Sequence, residues 1–384
     1  MQRRLLKTLL CAAGTLVLAS AALADDAVKI GVTQPLTGAF AADGNYVAQG
    51  AKLAAEAINK AGGVDGKQIQ LVIEDNKSNP TEAAATAERL IGEDKVPVML
   101  GAWGSSLTLA VMPKLLEYKV PMVVETSSSG KITTSGNPYI FRIAPTSAME
   151  AKVFAEKAAA ALDPPIKKVD FLAVNNDFGR GASDEFKKAL QAKGVEIGRT
   201  ETMTPDATDL SAQLAALKQS GGDTLFVTSG VEQITLIIKQ AAEQRLPARI
   251  VTTGGSFPDA LLGDAGKGFE SRHLLFFNPW FPEAAPHAEL AKGFVDAWKK
   301  KDYEFAGATE GFRGYDAILT IAAALKQAGK AEAEPIRAAL WETKLPGVNG
   351  DIAFTKDGPA GKESGQNVPN IYVVHLKDGQ VVKN

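Results

Sequence analysis

The sequence predicts an α/β protein with two lobes, each a mostly parallel β-sheet flanked by helices. Short apolar runs of strand length alternate along the chain with segments of helical spacing, which is the pattern of strand–helix–strand units. The alternation stops at Pro145 and then starts again. After an N-terminal leader the chain keeps about 360 residues, a length at which one hydrophobic core usually divides into two domains.

Five strands are predicted before Pro145, and helices connect the first four of them. Gly62 and Gly63 end the first helix, because glycine readily adopts the left-handed conformation that follows many helix C-termini. The helix after the third strand begins at the hydroxyl of Ser105, which we expect to act as its cap. The strands are expected at 28–33, 68–74, 96–100, 120–124 and 139–145, and the helices at 45–61, 80–92 and 105–118.

The second half of the chain repeats the alternation and ends in β-structure. No low-complexity linker separates the halves, so short strands rather than a flexible tether should join the lobes. Prolines after the strand at 274–282 mark a second crossing. Helices are expected at 147–162, 181–193, 209–219, 232–244, 286–301, 308–329 and 334–344, and strands at 167–174, 195–203, 223–228, 249–253, 345–354 and 370–375.

Residues 1–24 are predicted to be a cleavable export signal. A basic start (residues 3–7) precedes an apolar core (residues 9–18) and the small-residue cleavage site Ala22-Leu-Ala24. A membrane anchor is the alternative, but the apolar run is shorter than the roughly 20 residues of a spanning helix. The single cysteine, Cys11, lies in this segment, so the exported chain should have no disulfide and should depend on packing alone.

Charge and hydropathy argue against several classes of partner. The chain has 42 Lys and Arg against 44 Asp and Glu, a formal net charge of −2. Because both signs are interspersed, we expect no nucleic-acid partner and no anionic membrane surface. Hydrophobic residues make up 45% of the chain, as in a well-packed globular protein, and no second apolar stretch is long enough to span a bilayer.

Two turns rich in hydroxyl groups form the candidate ligand site. They follow neighbouring predicted strands, and ligands of open α/β sheets collect at the carboxyl ends of the strands. A helix N-terminus also offers unpaired N–H groups and a positive dipole end to an anion such as a carboxylate. The alternative is that both are ordinary strand-to-helix turns. The residues in question are Ser105, Ser106, Thr126, Ser127 and Ser128.

Signatures of common catalytic sites are missing from the sequence. There is no Gly-x-Ser-x-Gly elbow and no complete dinucleotide or phosphate loop. His273, His287 and His375 are far apart in the chain, and without cysteine they do not predict a metal site. Paired acids such as Asp184-Glu185 are most simply solvated charges, although the carboxylates of a glycosidase need not be close in sequence. We therefore predict no enzyme, with no catalytic residue, no metal and no cofactor.

Several short motifs are specific in combination. They are Leu36-Thr-Gly38, Gly50-Ala-Lys-Leu-Ala-Ala-Glu-Ala-Ile-Asn59, Gly62-Gly-Val-Asp-Gly-Lys67, Glu74-Asp-Asn76, Ala87-Glu-Arg-Leu-Ile91, Gly101–Thr108, Phe141-Arg142, Asn176-Asp-Phe-Gly179 and Gly347-Val-Asn-Gly350. Together they resemble the periplasmic solute-binding proteins of ABC importers, in the branched-chain amino-acid (Leu/Ile/Val-binding, type I) family. The resemblance covers essentially the whole exported chain.

The resemblance implies a two-lobed type I fold with three hinge crossovers. A ligand held between the lobes favours the closed form because it touches both. It also implies a periplasmic monomer that delivers its small-molecule ligand to an inner-membrane ABC permease. The crossovers would lie near 144–147, 277–281 and 345–349, the N-terminal lobe would comprise 25–144 plus 280–345, and the C-terminal lobe 147–276 plus 348–384.

The same resemblance implies where a ligand would bind. The ligand carboxylate would lie at Ser105, Ser106, Thr126, Ser127 and Ser128. The second lobe would contribute Phe178, the 228–231 loop with Gly230 and Val231, and the 253–256 loop with Gly254 and Gly255. Phe40, Trp103 and Phe178 are candidate aromatic walls, unless Trp103 belongs to the core. Asp43 would accept a hydrogen bond from a ligand hydroxyl, or else be a solvated loop acid. Trp280 and Phe281 would line the cleft or pack the hinge.

The sequence departs from the amino-acid binders of this family in the second lobe. Those proteins usually present an acid and a tyrosine to the ligand ammonium, whereas the aligned positions here are Gly254-Gly255 and Gly230. A buried ammonium without an anionic partner is costly, and the glycines leave room for a larger ligand. We therefore expect an aromatic carboxylate of the benzoate or hydroxycinnamate kind. Glu125 offers an alternative partner for an ammonium, which keeps a branched-chain amino acid or amide open.

Two other classes of protein stay open. A ligand-sensing regulator could use the same fold, but the export signal and the lack of a recognisable DNA-binding or signalling domain argue against it. A secreted carboxylate-dependent hydrolase would need a nucleophile and a base, and the scarcity of histidine argues against that.

Overall fold

In the part of the chain that the structure describes, the strands form two separate seven-stranded sheets and one short hairpin. The computed structural model describes residues 27–159, 162–253, 275–278, 285–305, 307–377 and 380–383. The predictions that fall outside these residues concern the export signal with Cys11, His273, the glycines Gly254 and Gly255, and the aromatic pair Trp280 and Phe281 at the expected second crossover.

The first sheet carries the first lobe. Its strands are β1 (Val28–Gln34), β2 (Ile69–Asp75), β3 (Met99–Gly101), β4 (Met122–Val124), β5 (Ile140–Arg142), β13 (Thr355–Asp357) and β14 (Ser364–Gln366), in the order β13-β14-β5-β4-β3-β1-β2. The helices between its first strands are α1 (Ala41–Lys60), α2 (Pro80–Gly92), α3 (Ser105–Tyr118) and the short α4 (Lys131–Thr134). β1 pairs in parallel with β2 and β3 and is buried at all but one position, as expected of a central strand covered by helices on both faces.

The second sheet carries the second lobe and repeats this plan. Its strands are β6 (Lys168–Val174), β7 (Glu196–Met203), β8 (Thr224–Thr228), β9 (Arg249–Thr253), β10 (Leu275–Asn278), β15 (Tyr372–Lys377) and β16 (Gln380–Lys383), in the order β16-β15-β10-β9-β8-β6-β7. Its helices are α5 (Ser147–Lys157), α6 (Asp177–Gln191), α7 (Ser211–Ser220) and α8 (Val231–Glu243). Phe154, Phe186 and Phe226 pack together in its core.

The remaining elements follow β10 in the chain. They are α9 (Ala288–Lys300), α10 (Ala308–Ala328), α11 (Ala333–Glu342) and a hairpin of β11 (Lys344–Gly347) with β12 (Gly350–Ala353). α10 packs closely against α1, because a Cβ at Gly50 would overlap the backbone carbonyl of Gly311 and a Cβ at Gly314 would overlap that of Val47. Glycine at the contact lets the two helix backbones meet and fixes α10 on the first lobe.

The predicted alternation of strands and helices is confirmed, with ends shifted by a few residues. The helix expected at 181–193 begins at Asp177, because the side chain of Asn176 caps it by accepting a hydrogen bond from the N–H of Gly179 at 2.9 Å. The start predicted from the sequence lies later because Gly179 and Gly181 are poor helix formers. The helix after β3 has Gly104, not a serine hydroxyl, as its N-cap, and no side chain caps it.

The expected crossover at 345–349 is wrong. Residues Gly347–Gly350 form the turn of the β11–β12 hairpin, and Asp316 holds that turn by accepting a hydrogen bond from the N–H of Val348 at 2.8 Å. β14 pairs in parallel with β5, so the chain is still in the first sheet at Gln366. It passes to the second sheet between 366 and 372, and the assignment of 348–384 to the C-terminal lobe fails for 355–366. The other domain boundaries stay a prediction.

Candidate functional site

The candidate site is a cavity formed by residues of both lobes. In each sheet the strand order reverses beside one strand, with β1 between β2 and β3 and β6 between β7 and β8. Such a reversal opens a crevice at the carboxyl ends of the strands, and residues that follow β1, β3, β4, β5, β6 and β8 meet there. The cavity is lined by Asp43, Trp103, Gly104, Ser105, Thr126, Ser127, Ser128, Pro145, Glu150, Asn176, Phe178, Ser229, Val231, Thr253, Glu310 and Arg313.

Most of the residues predicted from the sequence lie at this cavity. The structure places Asp43, Trp103, Ser105, Thr126, Ser127, Ser128, Phe178 and Val231 on its wall. Phe40 and Gly230 lie against wall residues, and Ser106 contacts Asp177, but none of Phe40, Ser106 and Gly230 is among the lining residues. Ser229 and Thr253 belong to the two second-lobe loops that the resemblance implied, and both line the cavity.

Ser105 and Ser128 present hydroxyl groups at one part of the wall. Ser105 is the first residue of α3, and its Oγ accepts a hydrogen bond from the N–H of Ser129 at 3.2 Å. Its O–H therefore remains a donor. The first N–H groups of a helix have no partner within the helix, so Ser105 adds a backbone donor and the positive end of the dipole. The Oγ of Ser128 lies 2.9 Å from that of Ser147, which begins α5 across the first crossover.

Ser127 and Thr126 have structural partners that sequence reasoning did not foresee. The Oγ of Ser127 donates to the carbonyl of Trp103 at 2.5 Å and lies 2.7 Å from Oγ1 of Thr108. Thr126 donates to Oε2 of Glu310 at 3.3 Å. Ser127 therefore holds the first turn in place, and Thr126 connects the second turn to α10.

Trp103 is held in an unusual backbone conformation. Its φ of 62° lies in the left-handed region, which costs a non-glycine residue about 1–2 kcal/mol. The N–H of Trp103 donates to Oε1 of Glu125 at 2.9 Å, and its carbonyl accepts from Ser127. The indole packs on Phe40 with ring centroids 5.0 Å apart. Trp103 is only 7% exposed, so it belongs both to the core and to the cavity wall, and Phe40 supports it from behind.

Glu125 supports this turn from inside the protein. It is fully buried, and Oε1 also accepts a hydrogen bond from Gln34 at 2.9 Å. Burial raises the pKa of Glu125 to about 7, although the hydrogen bonds from Gln34 and Trp103 oppose the shift. Glu125 lines a smaller neighbouring cavity with Asp316 and Asn349, and it is not among the lining residues of the main one. Its part in the site is to position Trp103.

Three charged residues on the cavity wall were not predicted. Glu150 is on α5, and Glu310 and Arg313 are on α10; all three are at most 4% exposed. Nη1 of Arg313 lies 3.3 Å from Oε2 of Glu310, and Oε2 of Glu150 accepts a hydrogen bond from Thr253 at 3.1 Å. Burial raises the pKa of Glu150 to about 7, while the charge of Arg313 opposes the shift. The sequence suggests only Asp43 and Glu125 as acids near a ligand, and the cavity wall adds Glu150 and Glu310.

Asp43 and Ser106, both predicted to touch a ligand, connect the two lobes. Oδ2 of Asp43 accepts from the N–H of Val231 at 3.0 Å. Oγ of Ser106 donates to Oδ2 of Asp177 at 2.9 Å and accepts from its N–H at 3.0 Å. Asp43 is 2% exposed, which rules out a solvated loop acid. Each contact joins the start of a first-lobe helix to the start of a second-lobe helix.

Gly230 serves this contact rather than enlarging the cavity. A Cβ there would lie 2.8 Å from Oδ2 of Asp43 and 2.9 Å from the ring of Phe40. The glycine therefore allows Asp43 to reach the N-terminus of α8. The expectation that Gly230 makes room for a larger ligand is wrong, because the space beside it is occupied by these two residues.

The described residues contain no group of His, Cys, Asp and Glu side chains able to hold a metal ion. Among the same residues, no helix combines the length and the apolar character that a membrane crossing requires.

Comparison with known proteins agrees with this architecture. The family model described as periplasmic binding protein matches residues 27–380. The leucine-, isoleucine-, valine-, threonine-, and alanine-binding protein of Pseudomonas aeruginosa is 28% identical over 343 residues, covering 88% of this chain and 89% of that protein.

Two solved structures match over nearly their whole length. A leucine-binding protein of Thermotoga maritima is 28% identical with a TM-score of 0.78, covering 93% of this chain and 97% of that one. An ABC-transporter solute-binding protein of Rhodopseudomonas palustris BisB5 was solved with 3,4-dihydroxybenzoic acid. It is 28% identical with a TM-score of 0.79, and the match covers 94% of this chain and 96% of that one. With its two parallel sheets, its cavity between them and a family match over 27–380, the chain belongs to the periplasmic binding protein family and has the two-lobed type I fold of ABC-transporter solute-binding proteins.

Proposed function

We propose that this protein captures a small aromatic carboxylate between its lobes and delivers it to an ABC importer. The observation that carries the proposal is one cavity that combines the N-terminus of α3 and its hydroxyl groups with the side chains of Trp103 and Phe178. The helix end and its hydroxyl groups suit an anionic group, and the two aromatic side chains suit a ring.

The carboxylate would bind at the start of α3. Ser105 supplies a hydroxyl donor, and the backbone N–H groups of the first helical turn point out of the helix end. Hydrogen bonds to an ionised group are about twice as strong as those between neutral groups. This arrangement holds a carboxylate without a dedicated cation beside it.

The ring would pack between Trp103 and Phe178, which come from different lobes. Nε1 of Trp103 is buried and has no hydrogen-bond partner among the described residues. Because an unpaired buried donor is costly, a ligand that presents an oxygen acceptor to this N–H would be favoured. The Rhodopseudomonas palustris protein, solved with 3,4-dihydroxybenzoic acid, shows that a carboxylic acid with an aromatic ring fits a protein of this fold.

An aliphatic amino acid is the second candidate ligand, favoured by Glu150 and Glu310 on the cavity wall and by the leucine-binding relatives. We rank it lower for reasons of charge. Glu310 already has Arg313 at 3.3 Å, Asp43 is bonded to Val231, and a Glu150 with a pKa of about 7 is only partly ionised at neutral pH. Among the described residues, the cavity wall thus offers an ammonium no acid that both keeps its usual pKa and lacks a partner.

The remaining parts of the proposal concern the cell. The leader at 1–24 would direct export to the periplasm, where the protein would act as a monomer and the closed form would dock on the permease. The hinge would consist of three crossovers, the third between β14 and β15, and the two lobes would move as units around the ligand.

The test is a titration of the exported protein with benzoate, 3,4-dihydroxybenzoate, leucine and isoleucine, by thermal shift and calorimetry. A ligand that binds only the folded protein stabilises it by about 2.7 kcal/mol at a hundredfold excess over its dissociation constant. We expect a shift with the aromatic acids and recovery of the ligand unaltered. Binding of leucine or isoleucine alone would overturn the aromatic assignment, and conversion of the ligand would overturn the assignment as a binding protein.

A further inference from the structure

Glu150 occupies a position in the cavity that the carboxylate and ring contacts do not explain. It lies in the first turn of α5, just after the first crossover, and is 3% exposed. The cap of that helix is already supplied by Thr146, whose Oγ1 accepts from the N–H of Met149 at 3.1 Å. Glu150 is therefore not needed to satisfy the helix end, and its side chain lines the cavity instead.

The hydrogen bonds of Glu150 are incomplete. Oε2 accepts from Oγ1 of Thr253 at 3.1 Å, and this is its only hydrogen bond among the described residues. A carboxylate has about four acceptor positions, and a buried one that lacks donors loses the hydration it had in water. A donor from a bound molecule would supply what the protein does not.

We propose that Glu150 is a specificity-determining residue that accepts a hydrogen bond from a ring hydroxyl of the ligand, so that the ligand class is hydroxylated aromatic acids. This inference rests on the proposed function, since it assigns the far end of the same ligand. The carboxylate binds at Ser105, the ring packs on Trp103 and Phe178, and the hydroxyl reaches Glu150.

The charges on the wall favour a neutral donor over a cationic one. Arg313 lies against Glu310, and the charges of Arg313 and Arg142 both act on Glu150, so both acids already have positive charge nearby. A phenolic hydroxyl satisfies the remaining oxygen of Glu150 without adding another buried charge that would have to be desolvated. Thr253 uses the same chemistry, because it too is a hydroxyl that donates to Glu150.

The experiment compares benzoate, 4-hydroxybenzoate and 3,4-dihydroxybenzoate by calorimetry on four forms of the exported protein. These are the natural protein, Glu150→Gln, Glu150→Ala and the control Glu156→Gln, which changes an exposed acid of the same helix. The quantity of interest is the ratio of hydroxylated to unsubstituted affinity, because a general loss of stability or of closure would move all three affinities together.

We expect at least one hydroxylated acid to bind about tenfold or more tightly than benzoate to the natural protein and to the control. In Glu150→Ala the ratio should fall to within about threefold, and in Glu150→Gln it should take an intermediate value. Circular dichroism of each variant shows whether it folds, and the milder Gln variant gives the ratio if the Ala variant does not.

Two results overturn the inference in different ways. Aromatic acids that bind without a hydroxyl preference, or a preference that survives in Glu150→Ala, contradict the role of Glu150 and leave the proposed function standing. Binding of leucine that depends on Glu150, with no aromatic acid bound, contradicts both, because Glu150 would then pair with an ammonium.

Discussion

Oδ2 of Asp43, in the first turn of α1, accepts a hydrogen bond from the backbone N–H of Val231, the first residue of α8, at 3.0 Å. The reverse contact also exists, since Oε1 of Glu232 accepts from the N–H of Ala42 at 2.8 Å. Each lobe thus supplies an acid to the N-terminus of a helix in the other lobe, where an unpaired N–H and the helix dipole both favour a negative charge.

Removing one of these acids should loosen the closed form. We expect Asp43→Ala to weaken ligand binding about fivefold, because a hydrogen bond made only in the closed form is lost and the closed population falls. The radius of gyration of the ligand-free protein, measured by X-ray scattering, should rise. Glu243→Gln, an exposed acid of α8, is the control and should change neither quantity. An affinity loss without a change in radius would place Asp43 in ligand contact instead.

The two serine turns predict different consequences for two similar substitutions. Ser105→Ala should weaken carboxylate binding about fivefold to tenfold, because its O–H is the donor left for the ligand, and the N–H of Ser129 also loses its acceptor. Ser127→Ala should instead lower the free energy of unfolding by about 1–3 kcal/mol, because the carbonyl of Trp103 loses its donor. Urea unfolding and calorimetry on both variants measure the two effects, and equal loss of binding without loss of stability in Ser127→Ala would contradict this division.

Glu125 should make the protein less stable at alkaline pH. Its pKa rises from 4.5 to about 7 on folding, so between these values the folded state binds the proton more strongly than the unfolded chain. The contribution of Glu125 to the free energy of unfolding is therefore greatest below pH 4.5, and it is lost as the pH rises through 7. We expect Glu125→Gln to raise the melting temperature at pH 8 and to lose that advantage at pH 5.

The amide of Glu125→Gln keeps an oxygen that can accept from Gln34 and Trp103, so the turn should remain folded. Glu342→Gln, an exposed acid of α11, serves as the control and should leave the pH dependence of melting unchanged. A melting temperature of Glu125→Gln that follows the natural protein at every pH would show that Glu125 is ionised without penalty.

The contact between α1 and α10 allows a test with glycines. Gly50→Ala should lower the free energy of unfolding by about 1–3 kcal/mol or more, because its Cβ would overlap the carbonyl of Gly311. It should also weaken ligand binding, since α10 carries Glu310 and Arg313. Gly181→Ala, where a Cβ would meet open space within α6, should instead stabilise by about 0.5–1 kcal/mol. Urea unfolding of both variants measures these changes in the free energy of unfolding. Equal changes in the two variants would contradict the close packing of α1 against α10.

The sequence predicted the parts of the site that follow strands. Phe178 and Val231, just after β6 and β8, were implied by the resemblance to the family. Ser105 and Thr126 lie just after β3 and β4, and the alternation of strands and helices fixed those strand ends. Trp103 was found for the same reason, but its left-handed backbone and its support by Glu125 depend on contacts distant in sequence.

The charged residues of the site were missed for a physical reason. Glu310 and Arg313 stand three positions apart on a helix, a spacing that is usual for exposed ion pairs, and their burial at the cavity depends on where α10 packs in the fold. Glu150 has the same appearance as any acid in the first turn of a helix. The third crossover was misplaced because Pro346 and Gly347 suggest a break equally for a hairpin turn and for a hinge.

The contacts that join the two lobes and the residues that line the cavity are largely separate sets. Glu232, Ser106 and Asp177 join the lobes through groups of this chain alone, whereas Glu150, Phe178 and Trp103 face the cavity. Under the proposed function, substitutions in the second set would change which ligand binds. They would leave unchanged the surface that the closed form presents to the permease. Under the proposed function, related proteins could therefore diverge in the ligand they bind and still deliver it to the same permease.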